Sequence, residues 1–314
     1  MTIGVALPAG DVVWHGNAVD QLVGQARQAA DAGLTSVWFS QLFQHDAITL
    51  AAVAGREVPG ITVGTHVVPL YPRHPLTLAS HAQTAQAATG GRFVLGVGTG
   101  VRDLLEPAYG TPYPPPIRHL RESLTVLRQA LNGERPLLEG RTVTARPPLP
   151  TAVAGGAGAP LLVAAMGPQA LAVTGELADG TLPFLAGPRT LAERIVPVLT
   201  AAAAEAARPV PRIVAAVPAV VTDDVDVVRQ IAAVHLGAYA AVPSYRQVLA
   251  AEGATHPVEL ALIGDEHTVA TGIRRYFDAG ATEVVLTQTG LRSPRERERT
   301  WHMAGRLASR TSVG

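Results

Sequence analysis

A glycine loop formed by Gly98, Thr99 and Gly100 directly follows the apolar run at positions 93–97. That run is apolar on both faces of a pleated strand, which is typical of a parallel strand covered on each side. Glycine has no side chain that would hold a ligand away from the backbone, so the loop could offer its N–H groups to an anion such as phosphate. The same glycines could equally serve a tight turn through their dihedral angles alone.

A second group of backbone donors consists of Ala165, Met166 and Gly167, which follow another apolar run and precede Pro168. Proline suits the first turn of a helix, so these three residues stand at a predicted helix N-terminus. Such a terminus offers unpaired N–H groups and about half a positive charge to a phosphate. Met166 could instead fill the core at the end of the strand.

Four polar side chains lie at or near predicted strand ends: Ser40, Gln41, His45 and His66. Gln41 cannot act as a general base, but its amide could hydrogen-bond a cofactor ring or a substrate, or simply complete the strand end. His45 is a candidate acid–base residue, or it belongs to a helix start capped by Asp46. Gln41 and His45 are therefore the candidate catalytic residues.

The composition excludes several classes of chemistry. All 25 basic residues are arginine and cysteine is absent, so there is no lysine for a Walker loop or a Schiff base and no thiol nucleophile. The ten histidines include no His-x3-His pair, and no metal site is predicted. The net charge is zero and no apolar segment approaches the roughly 20 residues of a spanning helix. We therefore expect a cytoplasmic protein that binds neither nucleic acid nor membrane.

Apolar runs and helical patterns alternate along the chain, eight of each, which predicts an α/β fold of the (β/α)8 TIM-barrel type in a single domain, residues 1–314. Two insertions interrupt the alternation, one after strand 4 and one before strand 5. The first, residues 101–118, is proline-rich and is predicted to be a binding loop without regular structure, near which Tyr71, Tyr109 and Tyr113 could line a pocket. The second, residues 133–160, is predicted to contain a hairpin.

As a set, three motifs resemble the luciferase-like flavin and deazaflavin superfamily, and within it the bacterial coenzyme F420-dependent oxidoreductases. The motifs are the run at 93–100, the Arg-His-Pro triplet at 73–75, and the stretch 161–180 with its Ala-Ala-Met-Gly-Pro and Ala-Asp-Gly sequences. The resemblance implies that the third strand, residues 61–70, carries a bulge with a cis peptide bond between His66 and Val67. It also implies a set of cofactor-binding residues: Ser40, His66, Val67, Gly98, Thr99, Gly100, Ala165, Met166 and Gly167.

One position departs from the pattern of the sugar-phosphate dehydrogenases in this group. After the serine that ends strand two they carry an acid and then a histidine, whereas this chain has Gln41 and Leu42. Proton abstraction from a sugar alcohol is therefore not expected at this place. The function implied is hydride transfer between coenzyme F420 and a small organic substrate, with reduction of a C=C, C=N or C=O bond, in a homodimer.

Three alternatives stay open. The first is a monooxygenase on the same barrel that uses reduced FMN and O2, and the second is a non-catalytic flavin-binding or sensor protein. A Rossmann dehydrogenase fits less well, because its glycine fingerprint should follow an early strand and Val101 breaks the pattern.

Overall fold

The computed structural model of the chain describes residues 1–8 and 16–309. Its strands, in chain order, are β1 (Ile3–Leu7), β2 (Ser36–Phe39), β3 (Thr62–Thr65), β4 (Val68–Pro69), β5 (Phe93–Gly98), β6 (Leu138–Glu139), β7 (Thr144–Ala145), β8 (Leu161–Val163), β9 (Gly180–Thr181), β10 (Arg212–Val221), β11 (Leu262–Gly264) and β12 (Glu283–Thr287).

The α-helices, in chain order, are α1 (Ala18–Asp31), α2 (Ala47–Glu57), α3 (Pro75–Ala88), α4 (Arg102–Tyr109), α5 (Pro116–Leu131), α6 (Pro168–Leu177), α7 (Pro188–Thr190), α8 (Val196–Glu205), α9 (Val225–Gly237), α10 (Pro243–Glu252), α11 (Glu266–Asp278) and α12 (Pro294–Ser309). A π-helical turn, Leu191–Ile195, joins α7 to α8, and 3-10 turns occupy Ala238–Ala241 and Pro257–Leu260.

Eight of the strands form a closed parallel ring in the order β1, β2, β3, β5, β8, β9, β10 and β12. The ring closes where β12 pairs with β1, for example Val284 with Ile3. Strand β10 pairs with both β9 and β12, so no edge of the ring is left open. The predicted (β/α)8 barrel is therefore confirmed.

Large side chains fill the barrel interior in one layer: Trp38, Val94, Leu162, Leu182, Val214 and Val285. The Trp38 indole fits in this layer only because residue 64 is glycine, since a Cβ atom at that position would lie 2.6 Å from the ring. The interior is therefore packed with side chains and is not a pore, and a ligand site has to lie at an end of the barrel.

The N-terminal end of the barrel contains a buried polar network around Glu283, which is 2% exposed. Its carboxylate pairs with Arg212 at 3.0 Å and accepts hydrogen bonds from the Ser36 hydroxyl and, at 3.2 Å, from the Trp38 indole N–H. Because these residues come from β12, β10 and β2, the network links three strands. This end of a barrel is usually the one devoted to stability.

The first insertion differs from its prediction. Helix α4 forms within it although Pro107 lies inside the helix, and only the segments around the helix are irregular. The buried side chain of Leu105 anchors the helix, and Gly110 ends it in the left-handed region with φ 66°. Tertiary packing thus outweighs the hydrogen bond that proline removes.

The second insertion contains the predicted hairpin, in which β6 pairs with β7. The carboxylate of Glu122 on α5 accepts hydrogen bonds from the backbone N–H groups of Arg141, Thr142 and Val143. Burial raises the pKa of this carboxyl, but the hydrogen bonds lower it by a larger amount, and the resulting pKa is about 2. The hairpin is therefore tied to the outer helix layer by one ionised group.

The predicted third strand is divided into β3 and β4, with a cis peptide bond between His66 and Val67 at the break. This agrees with the bulge that the family resemblance implied. Strand β11 was not predicted; it pairs with the far end of β10 at Ala219 and Val220.

Within the described residues, no single helix is long and apolar enough to cross a membrane. One pair, Val225–Ala241 and Pro243–Glu252, meets the length and composition test together, but it is bent by 115°.

Candidate functional site

Six residues form the floor of the C-terminal mouth of the barrel, each two positions beyond an inward-facing residue of its strand. They are Ser40, His66, Gly98, Ala164, Phe184 and Thr287. Strand pairing brings them together, because Phe39 is in register with Thr65, Pro69 with Gly98, and Val97 with Val163. Active sites of such barrels lie at this end, so the predicted cofactor-binding residues share the expected location.

His66 is the most unusual polar residue of the floor. Its backbone N–H donates to Phe39 O at 2.8 Å, whereas the ring Nε2 is buried and has no partner among the described residues. Burial lowers the pKa of the imidazole to about 4, against a smaller opposing effect of a hydrogen bond with its own backbone. His66 is therefore neutral near pH 7, and Nε2 can serve as an acceptor.

Gly98 has close neighbours on two sides in the middle of the floor. A Cβ atom at this position would lie 3.0 Å from Val67 Cγ2 and 3.5 Å from Ala164 Cβ. Any longer side chain would occupy the region between these two neighbours. Glycine at position 98 thus lets Val67 and Ala164 approach the backbone of β5 closely.

The backbone N–H groups of Thr99 and Gly100 make no hydrogen bond within the described part of the chain. Gly100 has φ +77°, and a Cβ atom there would lie 2.2 Å from Leu105 Cδ1. On the carbonyl side, the Tyr113 hydroxyl donates to Thr99 O at 2.7 Å. The loop is therefore fixed through its carbonyl groups while its amide groups stay available.

Backbone donors are also available at the start of α6. Met166 and Gly167 have no partner for their N–H groups within residues 1–8 and 16–309, and Gly167 provides no side-chain cap. Ala165 differs from the prediction, because its N–H already donates to Val163 O at 2.8 Å. The geometry therefore leaves Met166 and Gly167, and not Ala165, as amide donors at this terminus.

Gln41 and His45, the candidate catalytic residues, lie beside the floor in the loop before α2. The Gln41 side-chain oxygen accepts a hydrogen bond from Ala47 N at 3.1 Å, which makes it part of the helix start. Asp46 caps the same helix by accepting from Thr49 N, and it pairs with Arg73 at 3.6 Å. His45 is half-buried and contributes no hydrogen bond to this arrangement. The Gln41 amide nitrogen and the His45 ring have no partner among the described residues and are left to bind a ligand.

Several residues at the mouth were not singled out from the sequence. Arg102 is exposed, forms no ion pair with the described residues, and places its guanidinium 5.2 Å from the centre of the Tyr113 ring. Tyr239 and Tyr245 form a second ring cluster with Phe184. The available signal was that all six tyrosines in the sequence lie outside the predicted strands. No group of three or more metal-ligating side chains occurs among the residues described.

A closed parallel barrel with free backbone amides at its C-terminal rim defines a barrel protein suited to a phosphorylated ligand. The sequence profile of the luciferase-like monooxygenase family matches residues 1–283, so the chain belongs to that family. The resemblance seen in the sequence is confirmed.

Curated relatives include two oxidoreductases, one of which is described as coenzyme F420-dependent. A putative coenzyme F420-dependent oxidoreductase from Mycobacterium tuberculosis is 31% identical over 173 residues, 51% of this chain and 50% of that protein. The 5,10-methylenetetrahydromethanopterin reductase of Methanolobus tindarius is 27% identical over 183 residues, 58% of this chain and 53% of that protein. The chain thus spans about half the length of these relatives.

Solved structures match over nearly the whole chain. The coenzyme F420-dependent tetrahydromethanopterin reductase from Methanopyrus kandleri superposes with a TM-score of 0.82 at 22% identity, covering 98% of this chain and 97% of that one. A type II Baeyer–Villiger monooxygenase from Pseudomonas putida, in complex with FMN, gives 0.78 at 18% identity, with 98% and 97% coverage. At these identities the likeness establishes the fold alone.

Proposed function

We propose that this protein is an oxidoreductase that transfers a hydride between coenzyme F420 and a small organic substrate. The observation that carries the proposal is the buried, unpartnered Nε2 of His66 on a floor whose rim offers free amides. An orphaned buried acceptor is costly unless a ligand supplies a donor. The F420-dependent relative from Mycobacterium tuberculosis supports the choice of cofactor.

The residues present fit such a cofactor. When bound, the deazaflavin supplies a carbon that can give or accept a hydride. The amides of Thr99, Gly100, Met166 and Gly167 would hold its phosphate, and Gly98 would leave room for the ring system beside Val67. No lysine is required for this mode of binding.

His66 acts in this proposal as a neutral hydrogen-bond acceptor for an N–H or O–H of the cofactor. Its low pKa means that it carries no charge near pH 7, and because the other ring nitrogen is hydrogen-bonded to its own backbone, Nε2 is the acceptor. The ring of Phe184 lies 6.3 Å from the imidazole, edge to face, and shields it from water. His66 therefore orients the cofactor and takes no part as an acid.

A monooxygenase that uses reduced FMN is the second candidate. The similarity of the fold to the FMN-bound Baeyer–Villiger monooxygenase favours this candidate. The free backbone amides would suit the phosphate of either cofactor. A non-catalytic flavin-binding protein is the alternative from another class. It would bind the same group but would transfer no hydride to any acceptor.

The test is a titration of the apoprotein with F420, FMN and NADPH, followed by single-turnover assays under nitrogen and in air. We expect F420 to bind most tightly and reduced F420 to be oxidised by an organic acceptor without oxygen uptake. Tight FMN binding with oxygen consumed in step with product would support the monooxygenase instead. Binding of F420 with no turnover on any acceptor would support the non-catalytic protein.

A further inference from the structure

Aromatic residues are rare in this chain yet concentrated at the barrel mouth. They make up 4% of the sequence, with six tyrosines and five phenylalanines. Five of the six tyrosines and two phenylalanines form two ring clusters beside the floor. The sixth tyrosine, Tyr276, is buried in the outer helix α11.

The first cluster stands on the floor itself. The ring of Phe184 contacts Tyr239 at 5.1 Å and Tyr245 at 6.0 Å between ring centres, and these two tyrosines are 5.0 Å apart. All three contacts are close to perpendicular, and Phe184 in turn meets the His66 ring. This cluster therefore forms one aromatic wall directly beside His66.

The second cluster extends outward from the glycine loop. Tyr113, whose hydroxyl donates to Thr99 O, lies 5.2 Å from Tyr71, and Tyr71 lies 6.3 Å from Tyr109. Phe43 continues the series at 6.1 Å from Tyr109. Phe43 is 54% exposed and Tyr109 is 39% exposed, which leaves ring surface available at the entrance. A continuous aromatic surface thus leads from solvent to the loop.

Charge is largely absent between the two walls. Of the six floor residues only His66 is ionisable, and it is held neutral. Three acidic groups near the mouth have partners: Asp46 pairs with Arg73, Asp224 pairs with Arg292, and Glu106 accepts from the backbone N–H of Tyr113. The Arg102 guanidinium lies 5.2 Å from the centre of the Tyr113 ring, and the proposed function assigns it to the cofactor phosphate. An ionised substrate would find no counter-charge on the floor.

We propose that the substrate is an uncharged compound with an aromatic ring system, which lies between the two ring clusters with its reducible bond over the floor. This inference rests on the proposed function for its chemistry. In the reductive direction a ketone carbon gains the hydride from the reduced deazaflavin and its oxygen gains a proton from water. The ketone becomes an alcohol, and the deazaflavin, which gives up a hydride to the carbon and a ring N–H proton to water, becomes oxidised.

The ring preference can be measured with four small probes. Acetophenone is compared with cyclohexyl methyl ketone, its saturated counterpart, with 2-acetonaphthone, which adds a ring, and with benzoate, which adds a charge. Dissociation constants are read from quenching of intrinsic fluorescence, with and without F420. Since an aromatic pair contributes about 0.5–1.5 kcal/mol beyond its buried area, we expect acetophenone to bind about three- to tenfold more tightly than the saturated ketone. We expect 2-acetonaphthone to bind more tightly still, and benzoate at least tenfold more weakly.

Three variants test which aromatic residues cause the preference for the aromatic ketone. Tyr245→Leu and Tyr109→Leu each remove a ring from one wall and should abolish most of the preference for acetophenone over cyclohexyl methyl ketone. Phe277→Leu makes the equivalent change on α11, away from the mouth, and should leave the preference intact. Because Tyr109 is 39% exposed, its variant is expected to fold even if Tyr245→Leu does not. Circular dichroism checks the fold of each.

The outcomes separate this inference from the proposed function. Equal affinity for the aromatic and saturated ketones, or tighter binding of benzoate, overturns the inference even if F420 binds. Ring preference that is lost in Tyr109→Leu supports the inference even if F420 fails to bind and the proposed function falls. A preference that survives both tyrosine substitutions also contradicts it, because the rings named here would then not be the ones that recognise the probe.

Discussion

Val67 Cγ2 lies 3.0 Å from the position that a Cβ atom on Gly98 would occupy. Val67 lies at the break between β3 and β4, and Gly98 ends the neighbouring strand β5. We predict that Gly98→Leu lowers affinity for F420 by more than tenfold, because the new side chain fills the place of the ring system. Fluorescence titration measures the change. Gly24→Leu on α1 is the control, since no atom lies within 4 Å of a Cβ atom at that position.

Gly100→Ala should reduce stability more than the same change at Gly110. Both residues have positive φ, 77° and 66°, so both variants incur the left-handed backbone penalty of about 1–2 kcal/mol. Only at position 100 does the new Cβ atom also meet a neighbour, Leu105 Cδ1 at 2.2 Å, whereas nothing lies within 4 Å at position 110. Urea unfolding should give a difference of about 1 kcal/mol or more between the variants. Equal losses would mean that Leu105 moves aside without cost.

Arg102→Gln should weaken the binding of a phosphorylated cofactor about three- to fivefold. The exposed guanidinium forms no ion pair with the described residues and stacks near Tyr113, whose hydroxyl bonds Thr99. Attraction between exposed charges is worth up to about 1 kcal/mol and is screened by salt, so the effect should disappear near 1 M NaCl. Arg56→Gln, in the last turn of α2, removes the same charge at a distance and should change nothing. An unchanged affinity in both variants would show that amides alone bind the phosphate.

His66 should make the fold sensitive to mild acid. Burial lowers its pKa to about 4 in the folded chain, below the ordinary 6.5, so the unfolded chain binds the proton more tightly. The contribution is fully present above pH 6.5 and is lost as the pH falls toward 4. Between pH 7 and pH 5 the free energy of unfolding should drop by about 2 kcal/mol from this residue.

The measurement is urea unfolding at the two pH values for the wild type and for His66→Gln. Between pH 7 and pH 5 the free energy of unfolding of the variant should fall by about 2 kcal/mol less than that of the wild type. His302→Gln, on the exposed face of α12, is the control for removing a histidine. An identical loss in the wild type and in His66→Gln would show that the imidazole is not buried in solution.

The sequence predicted the barrel well because its signals are local. Helix α3 begins at Pro75 and ends at Ala88 as expected, and β10 covers the expected residues 212–221. Proline at the first turn favours the helix start at Pro75, and the valine-rich apolar run at 212–221 favours a buried strand. The failures arose where tertiary contacts decide: α4 forms around Pro107 because Leu105 is buried.

The site was predicted less completely, for the same reason. The loops at 98–100 and 165–167 could be placed at the rim from strand order, but not the bond that occupies the Ala165 amide. Tyr245 lies 61 positions beyond Phe184 in the chain, and no sequence pattern places their rings together. The single domain, the homodimer and the roles of Gln41 and His45 stay predictions.

The network that joins Glu283 to Arg212, Ser36 and Trp38 sits at the opposite end of the barrel from every residue discussed as binding a ligand. Closure of the ring is thereby secured without any contribution from the loops at the mouth. Those loops can accept insertions, exchanges and point changes while the barrel persists. Directed evolution of a new specificity should therefore begin with the segments around α4 and α10 and leave the opposite end untouched.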